Sequence, residues 1–168
     1  ALEGVLRRAV VALSGEAFLD ALVAPLLERV GAGWRDGTLR PVHGHLASAV
    51  LRRVLDRVAE AASSPLAAPH LVVATPAEEA HEFGALLAAA AAAAEGWRVT
   101  YLGPGLPAED IAEAAAATRA RAVALSVVYP AGDAAVAHEL RRLGRLLPAG
   151  VALLVGGAAA PAYRPVLA

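Results

Sequence analysis

Glu79, His81 and Gly84 lie in the stretch E-A-H-E-F-G, shortly after the apolar run His70 to Ala74. An imidazole has two nitrogens, and one can face a metal while the other is held by a carboxylate that fixes the tautomer. A histidine on the loop after a parallel strand, with a carboxylate two residues before it and a glycine three after, suits that chemistry. By itself E-x-H-x-x-G is short, and a solvated or helix-capping histidine satisfies it equally well. Glu78, Glu79 and Glu82 also suit a helix amino terminus, where the helix dipole favours carboxylates. The features surrounding the pattern decide between these readings.

The loop has to be positioned by a sheet. Leu71–Ala74, Val99–Leu102, Ala122–Val128 and Val151–Val155 are short apolar runs, each followed by a helical segment, and they read as buried parallel strands. Strands alternating with helices predict a doubly wound, right-handed α/β sheet of Rossmann-like form, with its ligand beyond the carboxyl ends of the strands. His81, Ser126 and Gly156-Gly157 all fall on that edge. Gly84 lies near the start of the helix after the first strand, where a glycine costs about 1 kcal/mol against alanine. The alanine run Ala88–Ala94 predicts a strong helix with a flat surface that can approach the sheet closely.

The first 62 residues have a different period. Leu6, Val10 and Leu13, then Phe18, Leu22, Leu26, Leu27 and Val30, then Leu46, Val50, Leu51, Leu55 and Val58 recur at helical spacing, which predicts a small bundle of at least three helices. Gly31, Gly33 and Gly37 punctuate the region around Trp34, and Pro41 suits the first turn of the next helix. Residues 63–69, S-S-P-L-A-A-P, read as a linker. The expected organisation is a helical bundle over 1–62, a linker over 63–69 and an α/β domain over 70–168.

Composition narrows the function classes. With 58% hydrophobic and 18% charged residues, the chain is globular with ample core, and much of its apolar content is alanine. No stretch has the signature of a membrane span. The net charge of −1 comes from interspersed acids and bases, so no basic face stands out for direct DNA binding. Zero cysteines exclude disulfides, thiolate metal sites and thiol nucleophiles, and fit a cytoplasmic setting. There is no P-loop, G-x-S-x-G or H-E-x-x-H motif. His70 and His138 read as surface residues. The chain has no methionine and opens on Ala1 inside a helical pattern, so a fragment of a longer protein is expected.

Five anchors together resemble the cobalamin-binding region of light-sensing MerR-type transcriptional regulators, the CarH/LitR type, which is related to the cobalamin modules of methionine synthase. They are Trp34 followed eleven residues later by His45 in H-L-A-S, then T-P-A-E-E-A-H-E-F-G, G-W-R-V-T-Y-L-G-P-G-L-P, L-S-V-V-Y and V-G-G. The resemblance spans nearly the whole chain. It implies a helical bundle capping the upper corrin face and an α/β module that binds the lower face and the nucleotide tail. His81 becomes the lower axial cobalt ligand, with Glu79 as its carboxylate partner where related enzymes carry Asp. Gly84, Ser126, Gly156 and Gly157 accommodate the tail, Trp34 shields the upper face, and His45 bonds an adenosyl group.

Two positions depart from the family pattern. Gly44 stands where a glutamate usually precedes the helix histidine, and Arg35 stands where the light-sensing branch often has the histidine that replaces the lost alkyl group. Arginine stays protonated and cannot take that role. Gly44 also leaves room for a differently placed alkyl group or a second chromophore such as a bilin. The resemblance implies a non-enzymatic photosensory module binding adenosylcobalamin, working as a homodimer or homotetramer, and reaching DNA through a domain absent from this chain. The alternative is a corrinoid carrier serving a methyltransferase.

Overall fold

A strand covered on both faces needs apolar residues in succession, and His70–Pro76 provides Leu71, Val72, Val73 and Ala74. The structure is a computed structural model describing residues 2–61 and 64–167, without the side chains of residues 34, 35, 41, 60 and 61. It places this strand, β1, inside a four-stranded parallel sheet of order β2-β1-β3-β4. The other strands are β2 (Arg98–Leu106), β3 (Ala122–Ser126) and β4 (Ala152–Gly156). Helices α5 (Phe83–Ala94), α6 (Ala108–Ala117) and α7 (Ala134–Leu146) make the crossovers. The chain winds from β1 out to β2, then returns past β1 to β3, so a crevice opens between the carboxyl ends of β1 and β3. This is the expected doubly wound sheet.

The two faces of β1 feed two cores, as strand alternation requires. Val72 and Ala74 pack with Ile111 of α6, Val136, Leu140 and Leu143 of α7, and Tyr163. Leu71 and Val73 pack with Ala85 and Ala89 of α5 on the other side. β4 departs from the expected burial: it is an edge strand, and Leu154 is 54% exposed. A 3-10 turn (Ala160–Tyr163) and the short α8 (Arg164–Leu167) follow it.

The amino-terminal part is helical: α1 (Leu2–Ala12), α2 (Gly15–Phe18), a π-helical stretch at Leu19–Val23, α3 (Ala24–Arg35) and α4 (Pro41–Ala61). Ser14 caps α2 by accepting from the Ala17 amide at 3.2 Å. The wide π turn ends two residues before Pro25, whose ring in a regular α-helix would collide with the carbonyl four residues back. Helix α3 runs through Gly31 and Gly33, and only Gly37, at φ +75°, turns the chain. Leu6, Phe18, Leu19, Val23, Leu51, Val54 and Leu55 form one core with Leu86 and Ala90, so the bundle docks on the outer face of α5. Leu46, expected in that core, is 63% exposed, and Val10 and Leu13 are exposed as well. Leu46 lies toward the amino end of α4, before the Leu51–Leu55 segment that meets α5.

The amino edge of the sheet corrects a further expectation. His70 is buried rather than superficial, with Nε2 2.8 Å from Thr100 Oγ1, and burial, then the Arg98 charge, lower its pKa. Arg98, Arg119 and Arg121 line a cleft with it, and their charges complement the carboxyl end of α6. His138 is exposed, as expected.

Candidate functional site

The loop between β1 and α5 turns on Glu78, which sits in left-handed backbone at φ +71°, and this swings Glu79 inward. Thr75, at the end of β1, fastens the loop: its hydroxyl donates to the Glu79 carbonyl and accepts from the Gly105 amide at 2.9 Å. The Glu79 side chain is fully buried. Its Oε1 accepts from the His81 amide at 2.8 Å and lies 2.7 Å from His81 Nδ1. Its Oε2 accepts from the Val128 and Tyr129 amides, at 2.5 and 2.8 Å, on the loop after β3. One carboxylate therefore bridges both walls of the crevice.

Backbone amides only donate, so this carboxylate acts as an acceptor and the His81 Nδ1 proton is the donor toward it. The Nε2 lone pair is left on the far side of the ring. Among the described residues nothing bonds Nε2, and the side chain is 56% exposed. Tyr129 stands edge-on to the imidazole, with centroids 6.4 Å apart and planes at 79°. The pair is thus a buried anchor holding an open imidazole with its ring nitrogen presented outward, the arrangement a metal ligand requires.

Beside it, Ser126 ends β3 in register with Gly156. Ser126 is buried, and its hydroxyl has no partner among the described residues. A Cβ on Gly84 would overlap that hydroxyl, so the glycine keeps a small polar cradle open between α5 and β3. An orphaned buried hydroxyl next to a gap that a Cβ would fill marks a place where a polar group from outside can dock. Gly84→Ala should gain about 1 kcal/mol of helix propensity yet lose about 2 kcal/mol to overlap. Calorimetry should show a midpoint about 2–4 °C lower, with Ser126→Ala in the same chain restoring it; a raised midpoint in the single variant would show that the hydroxyl simply turns aside.

The two glycines after β4 do different things. Gly157 adopts φ +98°, and a Cβ there would run into the Val127 backbone; at Gly156 a Cβ would meet open space. The Val127 amide donates to the Gly156 carbonyl at 2.8 Å, and the Ala159 amide donates to the Val127 carbonyl at 3.0 Å. Gly157 is thus required by the chain's own packing against the loop that holds Glu79. The same loop is fastened from the carboxyl-terminal side by Tyr163, whose hydroxyl donates to the Pro130 carbonyl at 2.6 Å and accepts from the Asp133 amide at 3.0 Å.

Of the residues singled out from sequence, the structure joins Glu79 to His81 and sets Gly84 against Ser126. His45 is exposed on α4, and Gly44 beside it is buried. The Trp34 and Arg35 side chains lie outside the described residues. The sequence reading assigned Glu82 only to a helix amino terminus and passed over Arg52 and Tyr101. Glu82 is buried, pairs with Arg52 of α4 and accepts from the Tyr101 hydroxyl of β2 at 2.7 Å. A polar-tipped tyrosine in a strand packed against helices was the available signal, because a buried phenol needs a partner.

Residues 69–167 match a family described as B12 binding domain, and residues 1–59 match a second family of the same description. The chain is 40% identical over 163 residues to the HTH-type transcriptional repressor CarH of Myxococcus xanthus, covering 96% of this chain and 54% of the relative. It is 37% identical over 133 residues to the HTH-type transcriptional repressor CarA of the same organism, covering 76% and 44%. The chain thus spans about half the length of the curated relatives it matches. A crystal structure of a cobalamin-binding protein from Desulfitobacterium hafniense DCB-2 shares the fold at TM-score 0.51 and 19% identity, over 98% of this chain and 81% of that one. The sheet, its helical partner and these matches agree: the chain belongs to the B12-binding domain family and fits its CarH-type cobalamin-binding region.

Proposed function

We propose that this chain is the photosensory module of a cytoplasmic transcriptional regulator, holding adenosylcobalamin between the helical region of residues 1–62 and the α/β domain. The observation that carries this reading is the Glu79–His81 pair, which presents an open imidazole nitrogen at the crevice between β1 and β3. The donor set fits cobalamin: one neutral imidazole suits cobalt, and the Gly84–Ser126 cradle suits the polar nucleotide tail. When bound, cobalamin supplies visible absorption and, in its adenosyl form, a cobalt–carbon bond that light breaks. His81 would ligate the cobalt, with Glu79 fixing its tautomer, and Ser126 would hydrogen-bond the tail while Gly84 leaves it room. Gly156, with open space where a Cβ would be, would let the tail pass close to the backbone at the end of β4. Following the family resemblance, Trp34 and His45 would shield the alkyl group on cobalt, with His45 bonding an adenosyl group.

The relatives that match over most of this chain are named as helix-turn-helix repressors, which supports a sensing role over a catalytic one. DNA is then reached through a part of the protein outside this chain, and light alters the association of chains into dimers or tetramers. Gly44 leaves upper-face room that a second chromophore such as a bilin would use.

Reconstitution in darkness tests the reading. Mixed with adenosylcobalamin, the chain should give a coloured complex whose spectrum reports imidazole on cobalt, and His81→Ala should lose that signature. An identical spectrum in the variant removes His81 as ligand. Illumination followed by size-exclusion chromatography should change both spectrum and elution volume; constancy of both contradicts the sensory role.

A further inference from the structure

Glu82 follows His81 by one residue, yet its side chain serves neither the imidazole nor the helix it opens, since it caps no amide of α5. The buried carboxylate takes both prongs of the Arg52 guanidinium, with Nη1 at 2.6 Å from Oε2, and the Tyr101 hydroxyl at 2.7 Å. Three elements meet on it: α4 of the bundle, β2 of the sheet, and α5 immediately after the metal-facing loop. Leu51, Val54, Leu55 and Leu86 form the apolar core nearby. Burial is the main cause raising the Tyr101 pKa, with Arg52 opposing and Asp56 adding to it, so the phenol stays a donor.

Apolar contact alone lets two helices slide or rotate by a fraction of a turn, whereas a guanidinium fork on a carboxylate fixes both distance and angle. With Glu82 buried and the Arg52 side chain half exposed, the ion pair adds little net stability over well-packed apolar substitutes, so its main contribution here is geometric. His45 precedes Arg52 by seven residues, which puts both on the same face of α4, about 10 Å apart along its axis.

Resting on the cobalamin reading, we propose that Glu82 is a positioning residue for the cofactor site. By gripping Arg52 it sets the height and rotation of α4, and with it His45, over the imidazole of His81. The upper and lower faces of the site are thereby gauged against each other through one carboxylate that touches neither.

The test compares the full chain with Arg52→Met, Glu82→Gln and the double substitution. Should Arg52→Met alone fail to fold around its unpaired carboxylate, the double variant, which leaves no buried charge, carries the test. Without cofactor, hydrogen exchange at the α4 amides should be about tenfold faster in the double variant, while β1 and β3 exchange as in the parent. With adenosylcobalamin in darkness, every variant should keep the imidazole-on-cobalt spectrum but release the cofactor about tenfold faster, the double no faster than the worse single. Arg52→Lys, a point charge in place of a fork, should fall between. Parental α4 exchange together with release within about twofold in the double variant overturns the proposal, as do single-variant effects that multiply. Failure of the cobalamin reading itself looks different: the parent stays colourless, or His81→Ala leaves the bound spectrum unchanged. The exchange comparison then still decides whether Glu82 fixes α4.

Discussion

Replacing Glu79 should do more damage than any other change in the crevice, and alanine and glutamine should do it differently. Glu79→Ala strips the acceptor from the His81, Val128 and Tyr129 amides and from His81 Nδ1. Three amides losing their partner cost about 3–6 kcal/mol, so the thermal midpoint should fall by roughly 6–24 °C for a chain of this size. Glu79→Gln keeps the shape. If its carbonyl still serves the Val128 and Tyr129 amides, its NH2 group leaves the His81 amide without an acceptor and faces His81 Nδ1, which must then accept. The imidazole proton moves to Nε2 and occupies the position the metal needs. The midpoint should therefore drop by less than in the alanine variant, while cobalamin affinity, read by absorbance titration, falls about 10–100-fold. Parental affinity in Glu79→Gln would show that the carboxylate does not set the tautomer.

Gly157→Ala should be costly without touching the imidazole. The residue would have to hold φ +98°, unfavourable for any side chain, and its Cβ would press on the Val127 backbone, which cannot turn aside. Left-handed strain of about 1–2 kcal/mol and overpacking of about 1–3 kcal/mol sum to roughly 3 kcal/mol. The midpoint should fall by about 6–12 °C, with faster hydrogen exchange at the Val128 and Tyr129 amides. Gly156→Ala, with open space around its Cβ, is the control and should stay within about 0.5 kcal/mol of the parent. Equal behaviour of the two variants would mean that the loop after β3 is not braced by the turn after β4.

The sheet was legible because its apolar runs leave few alternatives, and the Glu79–His81 pair because its two members are near neighbours in sequence. What escaped is non-local. Glu82 read as a carboxylate suited to a helix dipole, although it answers Arg52, thirty residues earlier, and Tyr101, nineteen later. The Val128 and Tyr129 amides carry no side-chain signature at all. The cluster of Arg98, Arg119 and Arg121 exists only once strand and helix ends are brought side by side. Helical periodicity marked Leu46 as core, because period reports a face of the helix and not how far along that face its neighbour extends. The Gly33 and Gly37 pair shows the same limit: one lies within α3 and the other ends it, and composition does not distinguish them.

Helix α5 separates the bundle from the sheet with a layer made largely of methyl groups, its buried positions being Ala85, Leu86, Ala89, Ala90 and Ala93. Alanine has no side-chain torsion to turn, so apart from Leu86 this layer cannot soften a push by switching rotamers. It behaves as a thin, rigid shim. A displacement beneath it would be passed on to the bundle rather than absorbed, which gives the dullest stretch of the sequence a mechanical use.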